Sequence, residues 1–80
     1  MRILSFYTEG NPVCESINKL LRELSYDVEY INVFEDIAKV DIYNICVSPT
    51  VIVLDGEVEV KRFAGMGAVE KIIDCVKKLA

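Results

Sequence analysis

The sequence predicts an α/β domain over residues 1–80, a four-stranded mixed sheet flanked by three helices in the order βαβαββα. Three observations carry that prediction. Short apolar runs rich in β-branched residues are separated by segments of helical period, the tight-turn pair Asp55-Gly56 joins the last two runs, and Asn11-Pro12 opens the first helical segment. A chain of 80 residues has room for one core and not for a second domain.

Each element has a local cause. Arg2 to Tyr7 is β-compatible and bounded by Thr8-Glu9-Gly10-Asn11, so it reads as a buried strand ending in a turn. Asn11 suits the N-cap, where its side-chain oxygen accepts a backbone N–H, and Pro12 suits the first helical position because its missing donor costs nothing there. Val13, Ile17, Leu20, Leu21 and Leu24 then form an apolar stripe, with Glu15, Asn18, Lys19, Arg22 and Glu23 expected outward. Val28 to Val33 alternates as a second strand, and Phe34 to Tyr43 holds a short helix directing Ile37, Val40 and either Ile42 or Tyr43 inward. Thr50 to Leu54 is a plain buried strand that the Asp55-Gly56 turn pairs, antiparallel, with Val58 to Phe63. After the break at Gly65-Met66-Gly67, Val69, Ile72, Ile73, Val76 and Leu79 mark a terminal helix whose Lys77-Lys78 complement its dipole.

Bulk properties narrow the function. A hydrophobic fraction of 52% supports folding without disulfide or metal staples, while 28% charged residues coat the outside. The net charge of -4, with no basic cluster, opposes binding to nucleic acid or to an anionic membrane. Ile3 to Tyr7, interrupted by Ser5, is too short for a signal-peptide core, and no apolar stretch approaches the roughly 18 residues of a membrane span. Three cysteines without repeated spacing indicate reduced thiols in a cytoplasmic protein. The absence of histidine excludes mixed Cys/His zinc sites and His-dependent triads, and neither metal nor cofactor is expected.

The chemistry centres on Asn11-Pro12-Val13-Cys14. A Cys-x-x-Cys motif after a strand and at a helix start is a redox signal. Here the first position holds Asn11, which forms no thiolate, so the motif cannot cycle between dithiol and disulfide. Taken alone, Asn11-Pro12 is also fully explained as a helix cap followed by a first-turn proline.

Phe6-Tyr7-Thr8, Asn11-Pro12-Val13-Cys14 at a helix start and Ser48-Pro49-Thr50 leading into a strand together resemble the thioredoxin and glutaredoxin superfamily, over nearly the whole chain. The resemblance implies a thioredoxin-like fold in which Pro49 follows a cis bond and faces the helix start across a small gap. It makes Cys14 the catalytic thiol and assigns substrate binding to a groove of Asn11, Pro12, Ser48, Pro49 and Met66, with Gly65 alongside. It also implies that Cys14 is shielded, and that Ser5 stands where thioredoxins carry a buried aspartate that assists proton transfer. Glu9 beside the site, and Gly65-Met66-Gly67 without a following aspartate, depart from the elements with which glutaredoxins hold glutathione.

The remaining cysteines have plainer readings. A Cys14–Cys46 disulfide would need Cα atoms within about 7 Å, and Cys75, between Ile72 and Leu79, fits a small buried apolar position. Two functions follow from the resemblance. One is a monomeric thiol-disulfide exchange protein acting on a protein or peptide client, including one that contains a disulfide, with dithiol exchange impaired by Asn11. The other is a redox-inactive module that binds an extended peptide beside Pro49 by β-strand addition. A structural subunit of a larger assembly is a third, weaker alternative.

Overall fold

Strand β1 (Arg2–Tyr7) lies inside the sheet although it comes first in the chain. The computed structural model describes residues 2–23 and 27–65, together with Lys71 and Asp74. Among these, β1 is followed by α1 (Pro12–Arg22), β2 (Asp27–Asn32), α2 (Ile37–Ile42), β3 (Thr50–Asp55) and β4 (Val58–Ala64). The sheet order is β2-β1-β3-β4. β1 runs parallel to β2, through the α1 connection, and antiparallel to β3, which forms the expected antiparallel pair with β4. The sheet is therefore mixed and four-stranded. Two helices are described, and Lys71 and Asp74 have helical backbone. The rest of the terminal helix expected from Val69 to Leu79 lies outside the described residues, as do Leu24, Met66 and Cys75.

Strand alternation sends the two faces of the sheet to different helices. Ile3, Val51 and Val53 pack with Ile17 and Leu21 of α1. Leu4, Phe6, Ile31, Ile52 and Leu54 pack on the other face, with Val40, Tyr43 and Ile45 from the α2 region against them. Each large side chain fully withdrawn from water contributes roughly 1.5–3 kcal/mol. The Phe6 and Tyr43 rings meet at a 5.8 Å centroid distance, tilted by 58°, which secures α2 to the central strand.

Two helix faces correct the expectation from sequence. The buried residues of α1 are Cys14, Ile17, Asn18 and Leu21, an i, i+3, i+4, i+7 stripe that includes a polar residue expected to face outward. Asn18 is 5% exposed, and its Oδ1 accepts a hydrogen bond from Ser5 Oγ at 2.6 Å. Pairing with Ser5 offsets the cost of burying that oxygen. In α2, Val40 and Tyr43 turn inward, while Ile37 and Ile42 are each 71% exposed. Ile42 stands about 200° around the helix axis from Val40, and Ile37 occupies the first turn, outside the set that packs on the core.

The chain leaves α2 through a Schellman arrangement. Asn44, at φ 53°, follows the Tyr43 cap, and the Asn44 and Ile45 N–H groups donate to the carbonyls of Asp41 and Val40. This reversal carries the chain from α2 into the segment before β3. At the other end of β3, the register against β4 shifts between Val53 and Leu54, leaving Val60 as an extra residue on β4. Val58 and Val60 are both exposed there.

Candidate functional site

The end of β1, the start of α1 and the segment leading into β3 converge at Cys14. Asn11 has extended backbone (φ -89°, ψ 114°), and its Oδ1 accepts the N–H groups of Val13 at 2.9 Å and Cys14 at 3.4 Å. Its carbonyl accepts the N–H of Glu15 at 3.0 Å, the first helical bond. Asn11 is thus committed to capping α1, with Pro12 at the first helical position. The helix then turns the Cys14 side chain inward, leaving it 1% exposed.

The Cys14 sulfur has a polar neighbour from the far side of the sequence. Its Sγ lies 3.2 Å from Ser48 Oγ. The Ser48 hydroxyl accepts a hydrogen bond from Thr8 Oγ1 at 2.8 Å, so the turn after β1, the first turn of α1 and the segment before β3 are held by one short chain of polar atoms. The Ser48–Pro49 peptide bond is cis, and Pro49 is fully buried. Its carbonyl accepts the N–H of Gly65 at 2.9 Å, while Thr50 Oγ1 donates to the Val47 carbonyl at 2.7 Å. Gly65 has a φ of 79°, a conformation that side chains with a Cβ rarely adopt, and this backbone lets the chain leave β4 against Pro49.

Of the residues assigned to the site from sequence, Asn11, Cys14 and Ser48 are linked through hydrogen bonds, with Pro12 and Pro49 adjoining them in the chain. Met66 lies outside the described residues. Cys46 does not join the group. It is an exposed free thiol, 3.7 Å from the Asn44 carbonyl, whereas Cys14 is a buried free thiol. Glu9 accepts a bond from Asn32 Nδ2 at 3.4 Å, which ties its carboxylate to the end of β2.

Thr8 is the site residue that sequence reasoning missed as a participant. Its place between a strand and a helix start made it a motif residue, but nothing in a linear pattern pairs position 8 with position 48. The inward direction of Asn18 was signalled by spacing, since position 18 is four residues after Cys14 on the same helical face, but its pairing with Ser5 was not. Two apolar recesses were also missed, of which one reaches Ser48. One of about 260 Å³ is lined by Val33, Phe34, Ile45, Val47 and Ser48, and another of about 460 Å³ lies along α2 beside Ile37 and Asp41.

Chemically, the site offers one thiol whose sulfur touches a hydroxyl. A thiol can attack a disulfide as its thiolate and form a mixed disulfide, but release of the bound partner then needs a second thiol. Asn11 cannot supply one. Any cycle through Cys14 must therefore use a thiol from elsewhere.

No family model and no curated protein matches the sequence, and the similarities found are to solved structures. Thioredoxin 1 from Thermosipho africanus superposes with a TM-score of 0.85 at 28% identity, covering 99% of this chain and 93% of its own. The germline-specific thioredoxin Deadhead from Drosophila melanogaster gives a TM-score of 0.85 at 21% identity, covering 99% of this chain and 80% of its own. Fasciola hepatica thioredoxin gives 0.83 at 17% identity, with 96% and 78% covered. The fold is thioredoxin-like, and the 28% identical thioredoxin 1 supports a relationship to thiol-disulfide oxidoreductases.

Proposed function

For a chain of the thioredoxin-like superfamily with Asn11 at the helix cap and Cys14 behind it, we propose a thiol protein related to thiol-disulfide oxidoreductases in which dithiol exchange is impaired. Cys14 is the reactive group, and residual exchange is of the monothiol kind. The observation that carries this proposal is the engagement of Asn11 Oδ1 by the Val13 and Cys14 N–H groups. Position 11 serves as a cap, without a sulfur. Asn11, Pro12, Ser48 and Pro49 form the client groove, with Met66 a candidate from sequence outside the described residues, and the protein acts as a cytoplasmic monomer on a protein or peptide client, including one with a disulfide. The two described cysteines are free thiols, in keeping with a reducing compartment. Among the described residues, no helix is long and apolar enough to cross a membrane.

A second proposal, peptide binding without electron transfer, draws support from the apolar recess that ends at Ser48. Among the described residues, no hydrogen bond uses the Ser48 backbone N–H or carbonyl, leaving both for an extended partner. Disulfide reduction measured beside an Asn11→Cys variant separates scaffold from chemistry. The expected result is much faster reduction of insulin by the variant than by the unaltered chain, once both are shown to be folded. Equal rates would defeat the impairment. Fast turnover by the unaltered chain that is lost in Cys14→Ser would reject peptide binding without electron transfer.

A further inference from the structure

A buried thiol that reacts must lose its proton, and the sulfur of Cys14, a residue 1% exposed, meets one polar side-chain atom among the described residues, Ser48 Oγ at 3.2 Å. Ser48 is half-buried and is held at 2.8 Å by Thr8, also half-buried, in the turn after β1. The three atoms form a chain that begins at a buried residue and ends at a half-buried one. The other buried pair nearby does not extend it, because Ser5 Oγ donates to Asn18 Oδ1.

We infer that Ser48 and Thr8 form a two-hydroxyl proton relay that carries the Cys14 proton to solvent and then holds the resulting thiolate. The inference rests on Cys14 as the reactive group and adds the residues that let it ionise. In the thiol state, Cys14 S–H donates to Ser48, Ser48 O–H to Thr8, and Thr8 O–H to water. Each proton then moves one place outward. Cys14's passes to Ser48 Oγ, that of Ser48 to Thr8 Oγ1, and that of Thr8 to water. Both hydroxyls end with the single hydrogen they began with, the sulfur is left as thiolate, and no oxidant or reductant is consumed. The chain of donors now points inward, Thr8 to Ser48 and Ser48 to sulfur, and because hydroxyl hydrogens rotate, the 2.8 Å and 3.2 Å contacts accommodate either sense. Ser48 touches the reacting atom. Thr8 is a positioning residue that acts through it.

Other titratable groups stand near these residues in the chain. They are Tyr7 and Glu9 at the end of β1 and its turn, Glu15 in the first turn of α1, and Cys46 ahead of Ser48. Glu9 is engaged by Asn32, Glu15 and Cys46 are exposed, and none of the four is hydrogen-bonded to Cys14 among the described residues.

The test is ionisation of Cys14, followed by the ultraviolet thiolate band as the difference between each protein and its Cys14→Ser counterpart. Ser48→Ala is expected to move the midpoint upward by about one pH unit, leaving about tenfold less thiolate below it, as loss of a bond to a charged group implies. Thr8→Val should move it the same way by less, Ser48→Thr should restore it, and Thr8→Val should add nothing in the Ser48→Ala background. An unmoved midpoint in folded Ser48→Ala overturns the relay. So does a Thr8→Val effect that persists without Ser48, or an unaltered chain with no Cys14 band below its alkaline unfolding. If Ser48→Ala fails to fold, an unmoved midpoint in Thr8→Val is equally decisive. Disulfide reduction is measured separately. A moved midpoint without reduction upholds the relay and rejects exchange activity, while reduction with an unmoved midpoint does the reverse.

Discussion

Cys14 and Cys46 are chemically the same side chain in opposite surroundings. Cys14 is enclosed by the first turn of α1 and the Ser48–Pro49 segment, with a hydroxyl against its sulfur. Cys46 follows the α2 reversal in the open, lining apolar recesses with the exposed side chains of Phe34, Ile37 and Val47. Exposure and chemical role have thus been separated. The accessible thiol meets a backbone carbonyl at 3.7 Å, and the thiol held by a side-chain hydroxyl is inaccessible until something moves.

The largest expected effect breaks or confirms that contrast directly. In the native protein, a bulky thiol reagent should label Cys46 rapidly and Cys14 slowly, with the difference lost after denaturation. If uncovering Cys14 requires a local opening of about 3 kcal/mol, the rate ratio is about a hundredfold. Mass mapping of labelled peptides against time measures it. Comparable native rates would mean that the first turn of α1 does not shield the sulfur.

The next effect sharpens the account of the enclosed side. Asn11→Ala removes the acceptor for the Val13 and Cys14 N–H groups and should cost about 1 kcal/mol in denaturant unfolding, whereas Asn11→Gly should cost only a few tenths. As the cap is lost, Cys14 labelling should accelerate while Cys46 labelling holds steady. A change at both thiols would show that the substitution loosens the whole domain.

The smallest effect concerns charges that are partly exposed. Glu29 bonds to Arg2 and Lys39. The hydrogen bond from Lys39 holds the Glu29 carboxyl below its ordinary value, with the charges of Lys39 and Arg2 adding to it against a burial cost. Its stabilising contribution is therefore present above the unfolded carboxyl's range and is lost as pH falls through the lowered folded value. Lys39 is raised by the same bond, so its contribution persists at neutral pH and is lost only as pH rises through the alkaline folded value. Glu29→Gln should flatten the acid limb of stability against pH, by less than the Asn11→Ala effect, and high salt should reduce the difference. Cys14 labelling should be unchanged, since Glu29 lies on β2, away from the Cys14–Ser48–Thr8 chain.

Much of this was legible in the residues. Strand and helix order, the Asn11 cap and the Asp55-Gly56 turn each follow from short-range chemistry written in adjacent positions. The direction of Asn18 was misread because its polarity was weighted above its spacing, although spacing alone places it with Cys14, Ile17 and Leu21. In α2, Val40 and the Tyr43 alternative turn inward as expected, while Ile37 was misread for a related reason. In a helix of six residues, three candidate apolar positions do not decide which of them reaches the core. The Thr8–Ser48 contact was not legible at all, because it joins two loops through a sheet whose register becomes visible only in three dimensions.

The sheet order has a consequence for how the domain is made. β1 is synthesised first, yet its neighbours are β2 and, about fifty residues later, β3. A nascent chain can form α1 and its cap early, since those contacts are local. It cannot bring Ser48 to Cys14 until β3 has emerged and entered the sheet. On the ribosome, Cys14 is therefore an ordinary exposed cysteine, open to oxidation or capping, for as long as the second half of the sheet is missing. The sulfur becomes protected when the sheet closes over it.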